Sequence, residues 1–132
     1  MNRKEAREYA MQTLFQMEAQ NELKTSSLER FIGEKKLNGQ ESYIKSLITN
    51  ILDNIHKVDE TINECSNGWS TLRMPKTDLA IIRVAVGEIL FIDDVPTAVS
   101  INEAVNLGNL YGTVQSPKFI NAVLGNIERK SN

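Results

Sequence analysis

A chain of 132 residues, with 41% hydrophobic and 24% charged side chains, is long enough to bury the core of one compact domain. Its formal net charge of -2 argues against strong nucleic-acid binding by the chain alone, because such binders usually carry a basic surface. The single cysteine excludes an intramolecular disulfide and is typical of a reducing compartment. No apolar stretch reaches the roughly 20 residues of a membrane span and no apolar signal segment opens the chain, so we expect a cytoplasmic protein.

The charges are spread unevenly along the chain. Residues 1–36 hold 7 basic and 6 acidic side chains, residues 37–65 hold 2 and 5, and residues 66–132 hold 6 of each. The middle is therefore the acidic part. Only the two ends of the chain are candidates for a surface that faces phosphates.

Three helices are predicted in the first half. Apolar residues at i, i+3 and i+4 spacing indicate a helix over about residues 3–19, and a second is expected over 27–36. An amphipathic stripe of apolar residues from Ile44 to Ile62 predicts one third helix. It should end near Asn67-Gly68, where glycine can take a left-handed conformation.

A junction over residues 66–77 separates this half from the next, and Trp69 is expected to pack between the two. Thr77 is a candidate N-cap for a central, buried helix over residues 78–92. That helix contains Gly87, whose position in a helix interior costs about 1 kcal/mol relative to alanine, so another segment is expected to approach closely there.

Two more helices are predicted towards the end of the chain. Ser100 and Glu103 have the spacing of a capping box, and the helix they would open runs to Tyr111. Ser116 and Pro117 are typical of the N-cap and first position of a final helix. No period-two alternation predicts a strand. The expected fold is all-α, with six or seven helices in one domain divided into subdomains at residues 1–67 and 68–132.

Residues for catalysis are scarce. His56 and Cys65 are nine residues apart on one predicted helix, which places them on opposite faces and excludes a dyad or a metal pair there. His56 is expected at the surface and Cys65 in the core. Arg83 and Glu88 interrupt the buried helix, so each should find a polar partner, by default in a structural salt bridge or a cap to a neighbouring backbone. The sequence therefore predicts a protein that is not an enzyme and needs neither metal nor cofactor.

The two chain ends carry the features expected of a binding surface. Arg3, Lys4 and Arg7 fall within an arc of roughly 100° at the start of the first helix. Tyr111 and Phe119 flank a loop that also leads to Lys118, and aromatic rings can stack on unpaired bases while lysine meets phosphate. The alternatives are a solvated helix end for the cations and a core position for Phe119.

Four segments resemble the NusB transcription antitermination family. They are the opening Arg3-Lys-Glu-Ala-Arg-Glu-Tyr-Ala-Met-Gln-Thr-Leu-Phe, the run Asp78-Leu-Ala-Ile-Ile-Arg-Val-Ala with Glu88-Ile-Leu, Asp94-Val-Pro-x-x-Val-Ser-Ile-Asn-Glu-Ala-Val-Asn-Leu, and Tyr111-Gly-x-x-x-Ser-Pro-Lys-Phe-Ile-Asn-Ala-Val-Leu. The resemblance implies about seven helices in two small bundles packed across each other. It also implies a non-catalytic factor that binds single-stranded boxA RNA with NusE, the ribosomal protein S10, and helps RNA polymerase resist termination in an antitermination complex.

The resemblance also assigns residues by position. The RNA-binding surface would comprise Arg3, Lys4, Arg7, Phe15, Tyr111, Ser116, Lys118 and Phe119. Asp78 and Leu79 would face the basic NusE partner. A net-negative protein that holds RNA weakly alone would hold it better once a basic partner adds phosphate contacts.

Two other functions compete with this interpretation. One is an adaptor that binds only proteins, including a homodimer that covers the RNA surface. The other is part of an RNA-modifying enzyme, because NusB-like domains occur fused to RNA methyltransferases. The chain ends at Asn132 without room for a methyl-donor domain, which favours a stand-alone factor.

Overall fold

The computed structural model describes residues 1–32 and 37–131, and within them every regular element is helical. The α-helices are α1 (Arg3–Ala19), α2 (Leu28–Ile32), α3 (Glu41–Asp53), α4 (Ile55–Cys65), α5 (Lys76–Phe91), α6 (Thr97–Tyr111) and α7 (Ser116–Ser131). Short 3₁₀ turns lie at Thr25–Ser27 and Thr71–Arg73. The all-α prediction is confirmed, with seven helices in the described part. Residues 33–36, where the predicted second helix ends, lie outside it.

The prediction of one third helix is wrong, because the helix is interrupted at Asn54. This residue has φ -121° and ψ 29°, and its side-chain amide donates to the carbonyl of Asn50 at 2.8 Å. An asparagine that hydrogen-bonds to a nearby backbone carbonyl competes with the helical pattern. The apolar stripe continues across the break, so both α3 and α4 bury one face.

Two predicted helix starts are also wrong. Helix α5 begins at Lys76 after Pro75, and α6 begins at Thr97 after Pro96. Both prolines are extended, with ψ near 135° and 139°, and neither Thr77 nor Ser100 acts as a cap. Proline fixes φ and so defines the turn into each helix without a capping side chain.

The boundary near residue 68 takes the expected left-handed backbone. Asn67 and Gly68 have φ of 49° and 91°, and α4 ends just before them. The interpretation of Trp69 as a residue packed between the two halves is wrong, since Trp69 is 53% exposed. Its ring packs edge-on against Phe119, with centroids 6.4 Å apart. The division into subdomains at this point remains a prediction.

Helix α5 is the centre of the molecule. Residues 78–88 are all buried, and α5 packs against α1, α3, α4, α6 and α7. The close approach expected at Gly87 is confirmed: a Cβ there would lie 2.5 Å from Cγ1 and 2.6 Å from Cδ1 of Ile51. Glycine is thus the residue that lets α3 lie against α5. In the described residues no helix is both long and apolar enough to cross a membrane.

Replacing Gly87 with alanine is expected to destabilise the protein despite alanine's better helix propensity. The propensity gain is about 1 kcal/mol, whereas overpacking a core typically costs roughly 1–3 kcal/mol. Ile51 is completely buried and cannot move into solvent. Urea denaturation should show the loss, and adding Ile51→Val, which removes the Cδ1 atom, should recover part of it. A stabilised Gly87→Ala variant would mean that α3 moves away freely.

Candidate functional site

The end of α6 lies against the exposed face of α1. The side-chain amide of Gln12 donates to the hydroxyl of Tyr111 at 3.2 Å, although the two residues are 99 positions apart. A hydrogen bond to the carboxylate of Glu8 raises the pKa of the Tyr111 phenol. Tyr111 remains 42% exposed. These contacts fix an accessible ring beside the first helix.

A shallow cavity of about 470 Å³ opens over this contact, between α1, the end of α2, the start of α5 and the end of α6. Its lining combines aromatic rings with amides and hydroxyls. The residues are Tyr9, Met11, Gln12, Thr13, Phe15, Gln16, Phe31, Thr77 and Tyr111. Phe15 and Tyr111, both assigned to RNA by the resemblance, therefore share one cavity. Rings for stacking and amides for hydrogen bonding suit unpaired bases.

The three cations at the start of α1 do not share one environment. Lys4 is exposed. The Arg3 guanidinium lies 3.9 Å from the centre of the Tyr43 ring, and its Nε donates to Gln40 at 3.1 Å. Arg7 is only 7% exposed. A basic face on which all three cations are accessible is therefore not what the structure contains.

Arg7 instead belongs to a buried cluster centred on Glu88, which we call the Glu88 cluster. The Nε of Arg7 donates to Glu88 Oε2 at 2.8 Å, and the Ser100 hydroxyl donates to Oε1 at 2.7 Å. The hydroxyl of Tyr43 also donates to Glu88. Burial, and then the Glu88 carboxylate, raise the pKa of Tyr43 well above its usual range. The cluster joins α1, α3, α5 and α6, so Arg7 holds α1 in place.

Ser116 stabilises the loop before α7 and is not exposed on it. Ser116 is 1% exposed, and its hydroxyl accepts from the Thr113 N–H at 2.9 Å. Lys118 is exposed, whereas Phe119 is half-buried against Trp69. Of the residues assigned here by the resemblance, Lys118 and Tyr111 are the most accessible.

The residues assigned to the protein partner are buried. Leu79 is 1% exposed and packs in the core, and Asp78 is 3% exposed. Oδ1 of Asp78 is the one buried side-chain polar atom of residues 1–32 and 37–131 without a hydrogen-bond partner. Just before them, Leu72 is 84% exposed and Trp69 is half exposed. Sequence reasoning missed Leu72 and Trp69 as exposed apolar residues. Their position in a junction was the available signal, but Trp69 was expected to pack between the two halves.

Comparison with known proteins places the chain in a family. The model of the NusB family matches residues 4–129. The chain belongs to the NusB family. Transcription antitermination protein NusB of Alkaliphilus oremlandii is 37% identical over 126 residues, which are 95% of this chain and 91% of that protein. The protein of the same description from Listeria monocytogenes is 39% identical over 127 residues, 96% of either chain.

Solved structures show the same NusB fold. NusB of T. maritima aligns with a TM-score of 0.88 at 29% identity, over 98% of this chain and 92% of that one. A chain from the complex of antitermination factors NusB and NusE with double-stranded RNA aligns at 0.83 and 23% identity, over 97% and 96%. At that identity the second likeness concerns the fold alone.

A second ionic group ties this NusB-family chain together at α5. Arg83 binds Asp59 through two nitrogens, at 3.0 and 2.8 Å, and Glu18 through a third at 3.0 Å. Burial lowers the pKa of Arg83, but the carboxylates of Asp59 and then Glu18 have the larger combined effect, so the pKa is raised. The structural salt bridges expected for Arg83 and Glu88 are confirmed.

The candidate catalytic residues of this NusB-family chain lie where expected. His56 is exposed and Cys65 is 3% exposed, so both predictions are confirmed. Burial raises the pKa of the Cys65 thiol, which disfavours the nucleophilic thiolate. In the part of the chain that the structure describes, no three His, Cys, Asp or Glu side chains are grouped as metal ligands.

Proposed function

We propose that this protein is a non-catalytic transcription antitermination factor that binds single-stranded boxA RNA together with NusE, the ribosomal protein S10, within an RNA polymerase antitermination complex. The observation that carries the proposal is the match to relatives described as transcription antitermination protein NusB, at 37–39% identity over more than nine-tenths of both chains. The accessible rings beside α1 supply a surface on which unpaired bases can stack.

The proposed RNA surface runs from the start of α7 across Tyr111 to α1. Tyr111 and Phe15 stack on bases, while Lys118 and Lys4 meet phosphates. Arg3, which packs on the Tyr43 ring, can also contact a phosphate. The exposed part of the Phe119 ring can contact a base. Arg7 and Ser116 support this surface from behind, by holding α1 and the loop before α7.

The proposed NusE surface lies where the junction meets the start of α5. Leu79 belongs to the core, so the exposed side chains of Leu72 and Trp69 supply the apolar contact instead. Asp78 is 3% exposed and its Oδ1 is buried, so it lies behind the surface offered to a basic partner. With a net charge of -2, the chain gains RNA affinity when that partner supplies more cations.

The function is tested by titrating a boxA RNA and a scrambled RNA of the same composition, each with and without NusE. We expect tighter binding of boxA and a further gain with NusE. Lys118→Ala should weaken binding to both RNAs and lower the salt slope of log K by about one, as expected for one lost phosphate contact. Lys57→Ala, an exposed lysine on α4, serves as the matched control and should leave the slope unchanged.

Equal affinity for boxA and scrambled RNA, with and without NusE, would leave only non-specific attraction and contradict the proposal. A homodimer that persists when RNA is added, and that binds no RNA, would favour the alternative function of an adaptor that binds only proteins. Light scattering of the same samples separates these results.

A further inference from the structure

We propose that the part of the cavity between α1 and α2 is a second nucleotide site, for an unpaired nucleotide that directly flanks the boxA element in the same RNA. We call it the outer subsite and define it by Tyr9, Gln16 and Phe31, with Arg30 at its rim. The proposal rests on the proposed function, since it extends the surface on which Phe15 and Tyr111 hold RNA. Its residues are not among those that the sequence assigned to RNA.

The outer subsite is continuous with the proposed RNA surface. One cavity of about 470 Å³ is lined by Phe15 and Tyr111 as well as by Tyr9, Gln16 and Phe31. At about 100° per residue, Tyr9 and Phe15 lie about 120° apart around α1, and Gln12 lies between them. The cavity therefore passes over α1, from the side of α5 and α6 to the side of α2. The volume of the whole cavity, of which the outer subsite is one part, falls in the range of roughly 300–1,000 Å³ that is usual for ligand-binding pockets.

The α1–α2 contact brings the rings of Tyr9 and Phe31 to the same cavity. The Tyr9 hydroxyl donates to the carbonyl of Ile32 at 3.4 Å, next to Phe31 in sequence. Both rings are half-buried, with part of each facing the cavity. Gln16 is exposed at its edge, where its amide can donate to and accept from a base edge. Held rings beside an amide match the way proteins bind unpaired RNA bases.

Arg30 supplies the charge that a nucleotide requires. Its guanidinium carbon lies 5.4 Å from the centre of the Phe31 ring, so the cation is close to a nucleotide that stacks on this ring. It also pairs with Glu22 at 3.3 Å, but its side chain is 63% exposed. Exposed pairs of this kind are weak, so a phosphate can take the place of Glu22. The outer subsite thus offers a ring, an amide and a cation to one nucleotide.

The outer subsite lies at one end of the proposed RNA path. Among the rings that line the cavity, Tyr111 lies on α6, Phe15 on α1 and Phe31 on α2. RNA that crosses this surface therefore reaches Phe31 with one of its ends. The nucleotide bound there precedes or follows the segment held by Phe15 and Tyr111.

The test compares a boxA RNA with the same RNA carrying four extra uridines at the 5′ or the 3′ end. The intact protein should bind one of the two extended RNAs roughly five-fold or more tightly than the short RNA, as one added base–aromatic stack predicts. Phe31→Ala should abolish this gain and leave the affinity for the short RNA unchanged. Phe31→Tyr keeps the ring and should keep the gain.

Arg30→Gln provides a second variant that should not affect folding, because the Arg30 side chain is exposed. It should reduce the gain and lower the salt slope by about one for the extended RNA only. The outer subsite would be overturned if the intact protein showed no gain in affinity for either extended RNA. It would also be overturned if Phe31→Ala and Arg30→Gln kept the full gain of the intact protein. Either result would leave the proposed function standing. Failure of the proposed function looks different, since the short boxA and scrambled RNAs would then bind alike.

Discussion

Replacing Glu88 with alanine is expected to lower the free energy of unfolding by about 3–5 kcal/mol, the usual cost of leaving a buried charge without its partner. The side chains of Arg7 and Glu88 are 8% and 1% exposed, and their atoms meet at 2.8 Å. Removing the carboxylate leaves the guanidinium buried and takes an acceptor from both Tyr43 and Ser100. Urea denaturation, read at an unchanged m-value, measures the loss.

An exposed ion pair provides the matched control. Lys130 and Glu64 lie 3.4 Å apart with side chains 59% and 53% exposed, so Glu64→Ala should change stability by no more than about 0.5 kcal/mol. Combining Arg7→Ala with Glu88→Ala should cost less than the sum of the two single variants, because neither charge is then left alone. Similar losses for Glu88→Ala and Glu64→Ala would contradict the central role of the Glu88 cluster.

The second large effect is expected at Arg83, where leucine should lower the free energy of unfolding by about 3 kcal/mol. Leucine fills similar space but leaves Asp59 without its cation and leaves Glu18 with only Lys76, whose Nζ lies 3.9 Å from Glu18 Oε2. The loss should be smaller than that at Glu88, because these carboxylates are 24% and 22% exposed and water can reach them. Denaturation in urea again provides the measurement.

Arg83→Lys distinguishes charge from geometry. Lysine keeps the positive charge but cannot reproduce the two-nitrogen contact with Asp59, so its stability should fall between leucine and arginine. If Arg83→Leu were as stable as the unmodified protein, the junction of α5 with α4 and α1 would depend on apolar packing alone.

The candidate site could be predicted only in part, and the residues that differ show why. A helical wheel places Arg3, Lys4 and Arg7 in one arc, but it does not show where that arc meets a neighbouring helix. Here α3 and α5 cover one edge, so Arg7 is buried and Lys4 stays free. Asp78 and Leu79 are buried for the same reason, since α5 is surrounded by five helices. The cavity over Gln12 was also beyond prediction, because Tyr111 lies 99 residues away.

The sequence by itself determined the helical class, the central position of α5 and the separation of His56 at the surface from Cys65 in the core. These follow from periodicity and residue type, which act over a few neighbouring positions. Only the tertiary structure decided which cations remain accessible, which carboxylates pair with arginine, and which rings share a cavity. Those outcomes depend on contacts between helices far apart in the chain, where burial and the need to pair every buried charge select the partner.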